Sequence, residues 1–304
     1  MKLKTKNLLT LAELTPKEFL GLIDESIKLK KELKGKGNKP VLKNKTLTMI
    51  FQKPSTRTRV SFEAGMYQLG GHAINLSSDD MQLSRGESIE DTAKTLSRYT
   101  NCIMARVYDH ELLEKLSEHS SVPVINGLSD TFHPCQILAD FMTIKEKKKK
   151  LKGLKIAWIG DGNNVCNSMI YGAALSGVNI SIATPKGFEP NKTVLKDAKK
   201  STTVELTTDP FVAVKNADVV VSDTFSSIHN LDKKRLKKFL PKYQVNSKLM
   251  SAAKKDAIFM HCLPAKRGEE VTSDVIDGVQ SVVWDEAENR LHTQKALLVS
   301  LIHA

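Results

Sequence analysis

The sequence predicts an α/β protein of two doubly wound parallel-sheet domains, on three observations. Short apolar runs recur along the 304-residue chain, and many are separated by stretches with helical spacing. Polar clusters sit at the carboxyl ends of several of those runs, where open parallel sheets bind ligands. A basic run, KEKKKKLKGLK over 145–155, interrupts the alternation near mid-chain, and the pattern then restarts.

Taken in order, Leu14 to Leu33 has helical spacing, with Thr15 as a cap and Pro16 at the first helical position. Thr46 to Phe51 (TLTMIF) is an apolar run of buried-strand type. Pro54 favours an extended Lys53, and beyond it Val60, Ala64 and Tyr67 recur at helical spacing, as do Phe62, Met66 and Leu69. His72 to Leu76 reads as a second strand, Ile89 to Tyr99 as a helix, and Cys102 to Arg106 and Val122 to Asn126 as further strands. Ile137 to Ile144 is helix-like. After the basic run come strands at Lys155 to Ile159, Asn179 to Ala183, Val204 to Leu206, Val219 to Ser222 and Ile258 to His261. Asn289 to His303 is predicted as a closing helix that packs back on the first domain. The expected domains are 1–145, completed by 289–304, and 151–288, with a ligand cleft between them. No fixed-period repeat is evident, which argues against a solenoid.

Composition narrows the function classes. Hydrophobic content of 40% with 26% charged residues is ordinary for a globular protein, and no apolar run approaches the roughly 20 residues of a membrane span. The basic start, Met1 to Asn7, is followed by no signal-peptide pattern. Cys102, Cys135, Cys166 and Cys262 form no CxxC pair, which argues against a disulfide framework or zinc site and fits the cytoplasm. A net charge of +12 raises nucleic-acid binding, but the lysines lack interleaved aromatics, so solvated lysine faces account for them better. No nucleic-acid and no membrane partner is expected.

The most informative segment is Ser55-Thr56-Arg57-Thr58-Arg59-Val60-Ser61, running into a helix. Unpaired N–H groups and partial positive charge at a helix N-terminus suit a phosphate, and Arg57 and Arg59 add forked donors. The plain alternative is a capped helix with a solvated basic first turn. The glycine turn Gly160-Asp161-Gly162-Asn163-Asn164-Val165 invites a dinucleotide-dependent oxidoreductase. That fingerprint fails at Val165 and lacks its acidic partner after the next strand, while Asn164 can still offer an amide to a carboxylate. Gln82 lies on a polar loop, Arg106 ends a strand, His133-Pro134-Cys135-Gln136 precedes a helix, and His261-Cys262-Leu263-Pro264 ends a strand. Singly, either histidine is more often structural, and Cys262 could be a small buried hydrophobe.

The ordered set S-T-R-T-R-V-S-F-E, R-G-E-S-I-E-D-T-A, H-P-C-Q, H-C-L-P and D-E-A-E-N-R resembles the aspartate/ornithine carbamoyltransferase family over essentially the whole chain. Gln82, the H-C-L-P cluster and Arg85 resemble the ornithine branch. The resemblance implies a carbamoyl phosphate domain and an amino-acid domain, with carbamoyl phosphate and L-ornithine as substrates and citrulline and phosphate as products. It implies that Ser55, Thr56, Arg57 and Thr58 hold the phosphate, and that Arg106, His133, Pro134, Cys135 and Gln136 serve the carbamoyl end. Gln82 would reach a neighbouring subunit's site, which implies a homotrimer or a multiple of trimers. Asn164, Asp223, Ser227 and Ile228 would hold the amino acid, and Cys262, Leu263 and Arg290 would complete the reacting centre. Arg57, Arg106, His133, Asp223 and Cys262 are the expected catalytic residues. No metal and no organic cofactor is expected, because phosphate is already a good leaving group. One departure stands out: where the ornithine branch has Asp-x-x-x-Ser-Met-Gly, this chain has Ile228 and His229 in the last two places. That leaves a sister carbamoyltransferase acting on putrescine or a modified ornithine as the runner-up.

Overall fold

The computed structural model describes residues 2–225 and 233–302. The chain divides into two compact units, residues 1–142 with 288–304, and residues 143–287.

In the first unit the order is α1 (Pro16–Lys34), β1 (Thr46–Phe51), α2 (Thr56–Gln68), β2 (His72–Ser77), α3 (Ile89–Tyr99), β3 (Cys102–Arg106), α4 (His110–His119), β4 (Val124–Leu128) and the start of α5 (Pro134–Lys148). Two 3-10 turns, Ser78–Asp80 and Gln82–Arg85, follow β2. Thr15 and Glu18 cap α1 reciprocally, with Pro16 inside the first turn. The four strands are all parallel, in the order β2-β1-β3-β4. α2 packs on β1 and β2, α3 on β3, and α4 on β4. Ile50, Ala93, Ile103, Ala105, Leu113, Leu116 and Val124 form an apolar cluster within this unit.

The second unit continues with β5 (Lys155–Ile159), α6 (Asn164–Ser176), β6 (Asn179–Ala183), α7 (Lys192–Ala198), β7 (Val204–Thr207), α8 (Pro210–Val214), β8 (Val219–Ser222), α9 (Lys233–Phe239), α10 (Ser247–Ser251), β9 (Ile258–His261), α11 (Ser273–Ile276) and the start of α12 (Val283–Ile302). Its strands are again all parallel, ordered β7-β6-β5-β8-β9. The core contains fully buried Phe225, Phe239 and Phe259, and Phe225 stacks on Phe239 with ring centroids 4.7 Å apart. Trp158 on β5 is fully buried, and its indole N–H donates to the Asp161 carbonyl at 2.9 Å.

Several boundaries differ from expectation for local reasons. β4 begins at Val124, two residues later than the sequence pattern, because Pro123 has no N–H to give the ladder. Lys145 to Lys148 continue α5, so the basic run is partly helix and the first unit ends before it. α12 starts at Val283, with Asp285 and Glu286 in a first turn that favours acidic side chains.

Candidate functional site

Each sheet reverses its strand order once, between β1 and β3 in the first unit and between β5 and β8 in the second. Loops at the carboxyl ends of these strand pairs form the switch points where open α/β sheets bind ligands.

At the first switch point β1 leads into α2 through Gln52, Lys53 and Pro54. Ser55 is the N-cap, its hydroxyl accepting from the Thr58 N–H at 3.4 Å, and no acidic residue lies in the first turn. The first N–H groups of α2 therefore face an environment suited to an anion. Arg106 ends β3 where the β3–β4 register shifts, an irregularity that re-aims a side chain at a strand end. Lys53 lies close enough that burial, together with the Arg106 charge, lowers its ammonium pKa. Arg290 is brought in by the part of α12 that belongs to the first unit. Gly65 of α2 permits that approach, since a Cβ there would stand 3.2 Å from the Lys295 Cγ. Arg290 Nη1 donates to Gln136 Oε1 at 2.6 Å, and Nη2 donates to Thr58 Oγ1 at 3.3 Å. Gln136 in turn donates to Asp140 at 2.8 Å.

His133, directly before α5, is buried against this cluster. Burial first, then the Arg290, Arg106 and Arg57 cations, hold its pKa well below the usual histidine value, so the imidazole is uncharged at neutral pH. Ser55, Thr58, Arg57, Arg106, His133, Gln136 and Arg290 thus share one region of the first unit. Thr56 is exposed in the first turn, and Pro134 opens α5. The Cys135 thiol is buried, donates to the Asn126 carbonyl, and is pushed up to about 12, which leaves its backbone as the group able to meet a ligand. Gln82 stands exposed on its 3-10 turn.

The second switch point has the opposite character. Asn163, rather than Asn164, is the N-cap of α6: its Oδ1 accepts from the N–H groups of Val165 and Cys166, both at 3.1 Å. Its Nδ2 donates to Asp223 Oδ2 at 2.7 Å. Asp223 follows β8, and its Oδ1 accepts from the Thr224 N–H at 2.7 Å and from the Cys262 thiol at 3.2 Å. Asn164 opens α6 with its Oδ1 3.0 Å from the Val165 N–H. The Asp161 carboxylate accepts from Arg235, whose Nε donates to the Phe225 carbonyl and whose guanidinium lies 4.8 Å from the Phe188 ring. Burial raises the Asp161 carboxyl to about 6, with Asp223 adding to the rise and Arg235 opposing it. Gly162 has a structural cause: a Cβ there would stand 2.3 Å from the Pro190 nitrogen. The glycine turn therefore serves close backbone packing, and the first α6 amides already have Asn163 as their acceptor.

Beyond β9, Leu263 adopts φ +58, a left-handed conformation costing a side-chain-bearing residue roughly 1–2 kcal/mol. Its N–H donates to His261 Nδ1 at 2.9 Å. Asp223, His261 and Cys262 have ligand-type atoms within 4.8 Å of one another. As arranged they form a hydrogen-bonded network, because both His261 ring nitrogens and the Cys262 thiol already have protein partners. Ser227 and Ile228, with neighbouring His229, lie outside the described residues.

Asn163, Asp161, Arg235 and Glu270 escaped sequence reasoning. Asn163 carried a usable signal, since a helix cap immediately precedes the first helical residue. Asp161 and Arg235 pair across 74 residues, and Glu270 meets His261 nine positions back without a spacing motif to mark it.

Residues 6–146 match a family model described as the aspartate/ornithine carbamoyltransferase carbamoyl-P binding domain, and 152–301 match the Asp/Orn binding domain. An ornithine carbamoyltransferase of Cenarchaeum symbiosum (strain A) is 63% identical over 301 residues, covering 99% of both chains. One from Pyrococcus horikoshii is 52% identical, covering 99% of this chain and 97% of the relative. The solved ornithine carbamoyltransferase from Pyrococcus furiosus superposes with a TM-score of 0.95 at 51% identity, covering 98% of this chain and 97% of that one.

Proposed function

Because the chain belongs to the aspartate/ornithine carbamoyltransferase family, we propose that it transfers the carbamoyl group of carbamoyl phosphate to the side-chain amine of L-ornithine, giving L-citrulline and phosphate. The observation that carries this is the charge contrast between the two switch points. Arginines around an uncharged imidazole suit the anionic donor; an aspartate tied to an asparagine and a thiol suits a cationic amino acid.

Carbamoyl phosphate is assigned to Ser55, Thr56, Arg57, Thr58, Gln82, Arg106, His133, Pro134, Cys135, Gln136, Cys262, Leu263 and Arg290. Ornithine is assigned to Asn164 and Asp223, with Ser227 and Ile228. The attacking amine must be neutral, although free in water its pKa is near that of lysine, ~10.4. Its nitrogen bonds to the carbamoyl carbon, the carbon–oxygen bond to phosphate breaks, and the amine proton ends on phosphate. Arg57, Thr58, Arg106 and His133 stabilise the oxyanion of the tetrahedral intermediate, and Asp223 with Cys262 orients the amino acid. Catalysis is then mainly positioning and charge stabilisation.

A substrate panel with carbamoyl phosphate tests the acceptor. Ornithine is expected to give the highest kcat/KM, since putrescine lacks both α-charges; a higher value for putrescine or N-acetylornithine would assign the chain to a sister activity. The assembly assigned is a homotrimer or a multiple of trimers in which Gln82 serves a neighbouring subunit, supported by its exposure on a 3-10 turn. Mixing inactive Gln82→Ala and Arg106→Ala proteins should restore activity, and none after verified subunit exchange argues for self-contained sites. The setting assigned is a cytoplasmic step of arginine biosynthesis, supported by four free cysteines. No helix among the described residues is long and apolar enough to cross a membrane.

A further inference from the structure

His261 closes β9 with its side chain fully buried, and so is Glu270 beside it. The imidazole sits between two fixed partners. On one side the Leu263 N–H reaches Nδ1 at 2.9 Å; on the other, Nε2 lies 3.2 Å from Glu270 Oε1. A backbone N–H can only donate, so Nδ1 must carry a lone pair and Nε2 must carry the proton. Glu270, an acceptor, is the partner that tautomer requires. The same carboxylate accepts from the Lys266 N–H at 2.6 Å, which ties the far side of the turn to it. The His261 N–H itself donates to the buried Glu286 carboxylate at 2.9 Å, so backbone and ring are both anchored.

What this anchors is a backbone in an unfavourable conformation. Leu263 is left-handed at φ +58, and the His261 lone pair meets the N–H of that residue. Between them stands Cys262, whose thiol donates to Asp223 Oδ1 at 3.2 Å. We infer that His261 is a positioning residue for carbamoyl transfer: its Nδ1 lone pair, made available by Glu270, holds the Cys262–Leu263 turn in the geometry that presents the thiol and the Leu263 carbonyl to substrate. This rests on the assignment of Cys262 and Leu263 to the reacting centre. It separates the two halves of the His-Cys pair, since the histidine acts through the backbone and the cysteine meets substrate.

The test uses two amides that mimic different ring nitrogens. In the full-length protein, His261→Asn places an oxygen near the Nδ1 position and can still accept from Leu263. His261→Gln reaches the Nε2 position and abandons that bond. Activities are compared per folded molecule, from thermal unfolding of each variant. His261→Asn is expected to keep kcat within about threefold, while His261→Gln loses roughly 100-fold in kcat, the scale of an ångström-level misplacement. Carbamoyl phosphate affinity by calorimetry is expected to change less than about threefold in both, because the groups assigned to its phosphate, Ser55 to Thr58, lie in the other unit. Wild-type kcat in His261→Gln, or equal losses in the two variants, overturns the inference. A readout free of folding effects is 15N NMR of histidine-labelled wild-type protein, with His261 identified by the signal missing in His261→Asn. The Nε2–H tautomer is expected at neutral pH; the Nδ1–H tautomer or an imidazolium overturns the inference. If wild-type protein makes no citrulline, the assigned reaction fails, and the tautomer still decides whether the turn is held as described.

Discussion

The N-termini of α2 and α6 occupy equivalent places, each following a switch-point strand, yet they have opposite chemistry. α2 begins with a hydroxyl cap 3.4 Å from its amide, no acidic residue in the first turn, and arginines from β3 and α12 nearby. α6 begins with an asparagine that caps two amides and hands its remaining donors to Asp223. The helix dipole favours an anion at both places, so the fold alone does not choose the ligand. Cap chemistry and the side chains imported from distant strands make one an anion site and turn the other toward a cation.

The largest break in this contrast comes from Arg57→Ala. Loss of a preorganised donor to both phosphate and oxyanion is expected to lower kcat roughly 100- to 1000-fold and to weaken carbamoyl phosphate binding. Near-normal turnover in steady-state assays would show that the first switch point is not the donor site. Next is Asp223→Ala, which removes the carboxylate tied to Asn163 and Cys262 at the second switch point. The kcat/KM for ornithine should fall on the order of 100-fold, with KM raised and kcat lowered together, as when one partner of a buried charge pair is lost. Carbamoyl phosphate affinity should not follow; a parallel loss would mean the two switch points do not divide the substrates.

The smallest effect concerns Asp161, whose carboxyl is raised from 3.8 to about 6 mainly by burial. A raised carboxyl binds its proton more tightly when folded, so its contribution to stability is full below the unfolded value and is lost as pH rises through about 6. The unfolding free energy of the wild type minus that of Asp161→Asn should therefore fall, by about 2 kcal/mol at most, between about pH 4 and pH 7. Urea titrations showing a flat difference would mean that Asp161 is well solvated and takes no part in the acidic character of the second switch point.

Much of this was legible locally. Thr46–Phe51, Cys102–Arg106, Asn179–Ala183 and Ile258–His261 are strands as predicted, because a buried parallel strand writes itself as a short, mostly apolar run. The phosphate-type helix start at Ser55 was equally visible, since the cap and Pro54 are adjacent in sequence. α5 was under-read because its lysine tail resembles a charged linker, and no apolar face marks Lys145 to Lys148 as helix. Side-chain partnerships were the invisible part. Arg290 reaches Thr58 across 232 residues and Arg235 reaches Asp161 across 74, and neither pairing has a local pattern to betray it. His261 was readable as a motif member, but its lone pair toward Leu263 depends on Glu270, nine positions on.

The cysteines carry one more consequence, in the language of chemical labelling. Cys102, Cys135 and Cys166 are buried, and burial pushes all three thiols up, far from the reactive thiolate form. Cys262 alone is partly open, and it sits against Asp223. A thiol-directed fluorophore would thus attach at one place without any residue being engineered. Its rate of attachment, slowed by whatever occupies the Asp223 region, would make the native chain its own occupancy sensor.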